Sequence, residues 1–422
     1  MLALLSTVLI AAWLLRRAWA LPATAVAMPF GVLAMDAFNR SGFPVLAQWK
    51  VAQALTVVVV FVACARQVAR LGPRRALADR AGFLCAAAAY FAYALVAASW
   101  STEPVASAKV WLSFSKYLVV FVLGAHLVVR DEADLGVALR EIAWVWTPYL
   151  ALVLFAGEWG ARGVVSAIPA DHAWEGFGAG EVGYLALPTL AAACALTLPL
   201  LTRCPRWLRA LGVVVMLAVV VRSGARGQLV GVCLGAAAYV PSRALRILAA
   251  ASLRGAALVA LGFALAVLLD HAEYPQVLLR WTLAKLETAF EVRFELIGRL
   301  WEAYLAGGWS TVVFGLGTAE SGVIMGIYPH VIVVEVLCEH GLVGLTLFSW
   351  AVLVLVLELR SHLATTGRTS TIAAGVALLV FLAVVGLKSG GVLASPWLWT
   401  TAALVARATA RDRRGAGARA EA

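Results

Sequence analysis

The sequence predicts an all-α, polytopic membrane protein of about twelve crossings, built as one integral-membrane domain over residues 1–422. Three observations predict it. Hydrophobic residues make up 63% of the chain and charged ones 14%, with a mean hydropathy of +0.90, far from the balance of a water-soluble globular domain. Apolar runs of crossing length recur along the chain. The arginines fall in alternate connections between those runs.

The runs cover residues 2–15, 19–35, 44–65, 82–99, 110–129, 141–156, 183–201, 207–221, 227–241, 247–269, 340–358, 370–387 and 392–407. Most approach the roughly 17–25 residues a helix needs to cross a bilayer. The first is short for a crossing, which leaves the count at twelve or thirteen. It has no basic segment before it, and Arg16 and Arg17 follow it, so Ala18-Trp19-Ala20 is not read as a cleavage site. The six cysteines lie in or beside apolar runs without paired ligand spacing, and they argue for neither a disulfide framework nor zinc.

A net charge of +11 raises the question of nucleic acid, and its distribution answers it. Basic residues cluster at Arg66, Arg70, Arg74, Arg75 and Arg80; at Arg130 and Arg140; at Arg203, Arg206 and Arg209; at Arg243 and Arg246; and at Arg360 and Arg368. Arg407, Arg411, Arg413 and Arg414 follow near the C-terminus. That is the positive-inside pattern, which assigns these loops to the cytoplasm and excludes a nucleic-acid partner. The segment 408–422 reads as a basic cytoplasmic tail, solvated and irregular.

The other connections then face outward: 36–43, 100–109, 157–182, 222–227, 270–330 and 388–391. The longest, 270–330, reads as a large periplasmic loop, and loops of that length are usually functional. Within it Leu279, Leu283, Leu286, Phe290, Phe294, Ile297, Trp301 and Tyr304 recur at steps of three and four, the signature of an amphipathic helix lying on the outer face or in the interface. Gly315 and Gly317 in "VVFGLGTAESG" suit a tight turn before the chain returns to the membrane. Loop 157–182 carries Trp159, Asp171, His172 and Trp174; the tryptophans suit either interface anchoring or stacking on sugars.

Basic residues are scarce on this side, so each is a candidate for binding an anion. Arg222 and Arg226, in "VVRSGARGQL", share a face if one helix persists through Ser223 and Gly224. A guanidinium presents a planar fork of donors suited to phosphate; the alternative is snorkelling to the interface. Arg293 and Arg299 are further candidates, with surface ion pairs to Glu291, Glu295 or Glu302 as the alternative. Lys109 and Lys116 lie seven apart, suited to an anionic headgroup or to snorkelling, and Lys50 is similar.

The stretch "YPHVIVVEVLCEHGLVG", residues 328–344, carries His330, Glu335, Glu339 and His340. Ionisable groups at membrane depth usually face a cavity, a partner or the interface. His-Glu-x-x-His, Asp-x-Asp and Gly-x-Ser-x-Gly patterns are absent, which argues against zinc, a metal-diphosphate site and serine hydrolysis. Pro329 suits the first turn of the next helix, which puts His330 at its mouth, where it could take a proton from a hydroxyl. Glu335 and Glu339, four apart, could orient the histidine or pair with arginine; His340 reads as a satisfied structural group.

At this point the residues resemble a known family. "SGARG" at 223–227, "IGRLWEAY" at 297–304, "FGLGTAESG" at 314–322 and "YPHVIVVEVLCEHGLVG" are similar, in order and in setting, to the signatures of the O-antigen ligase and polymerase family. The resemblance implies transfer of a glycan from undecaprenyl diphosphate to an acceptor at the periplasmic face of a Gram-negative inner membrane. In the ligase branch, the expected one here, the acceptor is a sugar of the lipid A core. It implies catalytic roles for His330, Arg226 and Arg299, with Arg222 and Lys116 as further diphosphate ligands and Glu335, Glu339 and Arg293 in support. No metal or cofactor is expected. Ala225 and Val331 depart from residues common in the family. The alternatives are a polymerase of the same family and, from another class, a lipid-linked glycan flippase, which should show internal repeats and midplane charges.

Overall fold

A computed structural model of the chain describes residues 2–42, 50–72, 82–156, 159, 179–239, 245–269, 283–326, 331–388, 391–393 and 395–420. Among them the regular structure is helical throughout. In chain order the helices are α1 Leu2–Ala20, α2 Ala27–Gly42, α3 Val51–Leu71, α4 Gly82–Ala97, α5 Pro104–Val128, α6 Glu132–Ala156, α7 Ala179–Thr197 and α8 Arg206–Arg222. They continue with α9 Arg226–Ala237, α10 Leu245–Leu268, α11 Leu283–Ala306, α12 Gly308–Phe314, α13 Glu320–Met325, α14 Ile332–Thr365, α15 Ser370–Lys388 and α16 Pro396–Ala420. Six are long and apolar enough to cross a membrane: α3, α4 extended to Trp100, α5, α6, α14 and α15. Shorter apolar helical stretches cover Pro22–Met35, Ala186–Leu200 and Gly255–Leu268.

Small residues set the close packing. A side chain at Gly31 would fall inside the Trp146 ring, so α2 passes directly under that indole, whose Nε1 donates to the Ala27 carbonyl at 2.6 Å. Gly231 and Gly235 form a Gly-x-x-x-Gly face on α9, and a methyl at Gly235 would lie 2.6 Å from the Ala377 carbonyl of α15. Between apolar helices in lipid there is little hydrophobic drive, so backbone approach of this kind supplies the contact energy.

The described connections named below sort to two ends of the bundle. At one, Arg17 pairs with Glu141 at 2.6 Å, Arg66 Nε donates to Trp19 O, Arg407 Nε donates to Val129 O, and the Thr369 hydroxyl donates to Glu132. This end gathers arginines from connections separated widely in sequence. The C-terminal segment corrects an expectation: beyond Arg407 the chain continues as helix to Ala420. Alanine and arginine are strong helix formers, and the part up to Ala410 is buried against the bundle, which sustains the helix.

Candidate functional site

The opposite end holds Glu335, Glu339 and His340, and its organising feature is a break in α14. Gly341 has φ 63 and ψ −165, a region open essentially to glycine alone, and there the helical ladder is interrupted. Two carbonyls of the preceding turn are recruited by the loop after α12: Leu316 N donates to Cys338 O at 2.8 Å and Gly317 N to Glu339 O at 2.9 Å. The loop can come so close only because Gly315, with φ 85, has no side chain: a methyl there would sit 2.2 Å from Glu339 O. "FGLGTAESG" and "CEHG" are thus halves of one interlock. In a nonaqueous setting a broken helix is tolerated when its freed groups find such partners.

Side chains complete it. Glu339 is fully buried; its carboxylate accepts from Ala319 N at 3.0 Å, Ser321 N at 3.2 Å and the Ser321 hydroxyl. His340 is buried with both ring nitrogens engaged, Nδ1 3.0 Å from Tyr90 Oη and Nε2 3.0 Å from Thr318 Oγ1. The Thr318 hydroxyl gives its one proton to the Ala94 carbonyl, so it must accept from Nε2–H; Tyr90 O–H then donates to Nδ1 of a neutral ring. His340 is therefore the satisfied structural group expected from the sequence. Glu320 accepts from the amide and hydroxyl of Thr102, and Val392 N donates to Glu335 at 3.1 and 3.2 Å to its two oxygens. Among the described residues, amides and a hydroxyl, not an arginine, hold Glu335 and Glu339. Glu335 and Glu339 hold segments together.

Around the interlock, α11 presents Leu300 and Tyr304 to Met325 and Cys338, and the Tyr304 hydroxyl donates to Val312 O at 2.9 Å. Burial pushes its pKa up from the usual phenol range, which keeps it a donor. Arg299, one residue before Leu300, is exposed and pairs with Glu295 at 2.6 Å, the surface pair foreseen as its alternative. Arg222 and Arg226 do not share one helical face. The chain turns at Ser223, Gly224 takes φ 65, and a new helix starts at Arg226, because glycine makes the break inexpensive. Arg222 Nη1 instead donates to Leu154 O at 3.1 Å, with its guanidinium 4.7 Å from the Trp159 ring centre.

Helix α9 runs antiparallel to α15, since Gly231 meets Phe381 and Gly235 meets Ala377. Its start at Arg226 therefore lies toward the end of α15, where Gly386 meets Ile332 at the start of α14. Arg226 and the entry to α14 belong to the same end of the bundle. Pro329 and His330 lie outside the described residues; α14 begins at Ile332, after an extended Val331. The side chains of Lys116 and Arg293, and most of loop 157–182, also lie outside the described residues. Lys109 falls within α5, which starts at Pro104 and shortens the expected 100–109 connection.

Tyr90, Thr318 and Ser321 escaped sequence reasoning, because each works through a partner more than 15 residues away. Gly341 was legible in principle: a glycine directly after two ionisable residues at the head of an apolar run is a signal for a break.

The fold and this interlocked end define the class as a helical membrane protein with a break in one long helix that buried polar side chains clasp to a neighbouring loop. No protein-family model matches the chain, and no curated protein matches its sequence.

Proposed function

We propose that the protein is a membrane-embedded glycosyltransferase, an O-antigen ligase. It would cross a Gram-negative inner membrane about twelve times, with the arginine-rich end cytoplasmic and the interlocked end periplasmic. The observation that carries this reading is the gathering at one end of the bundle of Arg226, of Arg299 on α11, and of the entry to α14 two residues beyond His330. These are the positions to which the family resemblance assigns function, and they come from segments far apart in sequence.

In the proposed reaction a hydroxyl of the lipid A core attacks the anomeric carbon of the glycan on undecaprenyl diphosphate. The new carbon–oxygen bond forms as the bond to the diphosphate breaks. Undecaprenyl diphosphate leaves with the electron pair, and the hydroxyl proton passes to His330. Arg226 and Arg299, with Arg222 and Lys116, bind the diphosphate and offset its growing charge, an effect worth about 3 kcal/mol per well-placed donor. A single displacement inverts the anomeric centre. The diphosphate bond supplies the driving force, so the reaction needs no nucleotide.

The test incubates purified protein with undecaprenyl-diphosphate glycan and lipid A core in EDTA, comparing wild type with folded His330→Ala. Glycan on lipid A with wild type and none with the variant is the expected result. Lengthening of the glycan on undecaprenyl makes the protein a polymerase, and no new covalent product on either carrier refutes the transferase and favours a flippase.

A further inference from the structure

The segment from Gly308 to Gly326, expected from the sequence to be part of a large outer loop, packs against the span Gly82–Trp100. The Tyr93 hydroxyl donates to Phe314 O at 2.9 Å, and the Phe314 and Trp100 rings lie 6.5 Å apart. Tyr93 precedes the end of its span at Trp100 by seven residues, about 10 Å along the helix. That span, Gly82–Trp100, has 19 residues, or about 28 Å, so it has no length to spare against a hydrocarbon core of roughly 30 Å. A group level with Tyr93 is therefore inside the apolar layer. The second anchor agrees: Leu316 N binds Cys338 O, six residues into α14, or about 9 Å from its start.

Exposed apolar side chains occur on the span and on the segment packed against it. Leu95 and Val96 are exposed on α4, Trp100 follows, and Phe314 and Trp309 extend the patch, Trp309 with 84% of its surface open. Helix α11 adds a stripe of its own. Phe294, Trp301 and Leu305, at spacings of seven and four, lie on one face and are exposed, while Leu300 and Tyr304 face inward. An amphipathic helix that buries one apolar stripe in protein and leaves a second open beside a membrane span has the surface of an interfacial helix, with tryptophans where the belt of such residues occurs.

We propose that residues 308–326 form a membrane-embedded element, with Trp309 and Phe314 docked among lipid acyl chains and the Phe294–Trp301–Leu305 stripe of α11 lying in the headgroup border of the same leaflet. The occupant of this surface is the bilayer itself, because Trp100, Phe314 and Trp309 carry on from the exposed apolar side chains Leu95 and Val96 of the adjoining span. The segment is then a floor that ties the interlock to the membrane. The proposal is independent of the transferase reading.

The test uses the full chain with exposed Cys85 and Cys233 replaced by serine. Trp309→Cys is labelled with bimane and reconstituted in phosphatidylethanolamine–phosphatidylglycerol vesicles, alongside Arg299→Cys as the water-facing comparison and Leu305→Cys as a second stripe position. Lipids brominated on the acyl chain should quench the probes at 309 and 305 several-fold more than the probe at 299, with aqueous iodide in the reverse order. Iodide quenching at 309 equal to that at 299 overturns the proposal. Shielding from both quenchers also overturns it, since protein, such as a second copy of the chain, would then cover the face. Should Trp309→Cys fail to fold, the Leu305→Cys probe decides by the same criteria.

Discussion

Gly341→Ala is the most informative single perturbation, because the break in α14 leaves the chain two responses and both are unfavourable. If alanine keeps φ 63 and ψ −165, it occupies a region open essentially to glycine, at about 1–3 kcal/mol. Its methyl would also stand 2.4 Å from Val313 O and 2.5 Å from Gly315 N, so the loop must retreat. If the helix straightens instead, Cys338 O and Glu339 O return to the helical ladder, and Leu316 N and Gly317 N lose their acceptors. Two net backbone hydrogen bonds at about 0.5–1.5 kcal/mol each put this second route at roughly 1–3 kcal/mol. Gly326→Ala is the comparison, with φ 68 and nothing within 4 Å, where only the backbone conformation is charged, about 1 kcal/mol. Equilibrium unfolding of the two purified variants in mixed detergent micelles reads the difference. Equal losses of stability would show that Gly341 matters only for its own φ and that the loop and the helix are not clasped.

Other outcomes follow from the same geometry. Gly235→Leu should disrupt the α9–α15 contact and lower yield of folded protein in detergent, whereas Gly255→Leu, with open space around it, should be tolerated; gel filtration after heating compares them. Glu339→Ala should leave two amides and a hydroxyl without an acceptor, at about 1–3 kcal/mol for each group, and expose 314–326 to protease; Glu339→Gln, which retains one acceptor oxygen, should fall between it and wild type. Arg299→Ala should change thermal stability little, since an exposed i,i+4 pair contributes about 0.3–0.5 kcal/mol, while abolishing glycan transfer if the proposed role is right. Retained transfer in that variant would remove Arg299 from the mechanism.

Local chemistry wrote the helices into the sequence. Length and hydropathy of single runs mark α3, α4, α6 and α15, because a crossing is decided by the residues within it. The amphipathic period of α11 was visible for the same reason, as was the turn at Gly315 and Gly317. The helical continuation to Ala420 went unread because composition there suits solvent and helix alike, and only the packing of Ala408 and Ala410 against the bundle decides between them. Arg222 and Arg226 looked like a pair because spacing assumes a continuous helix, and a glycine in the left-handed region ends it.

The site divides along the same line. Sequence by itself marked out ionisable residues in an apolar chain, since the cost of burying them makes each conspicuous. Which of them are saturated was decided by tertiary structure alone. Glu339 is held by Ala319 and Ser321, and His340 by Tyr90, 250 positions away. A hydrogen bond's partner is fixed by where two backbones come within about 3 Å, and that proximity is set by helix packing and glycine breaks, not by any local pattern.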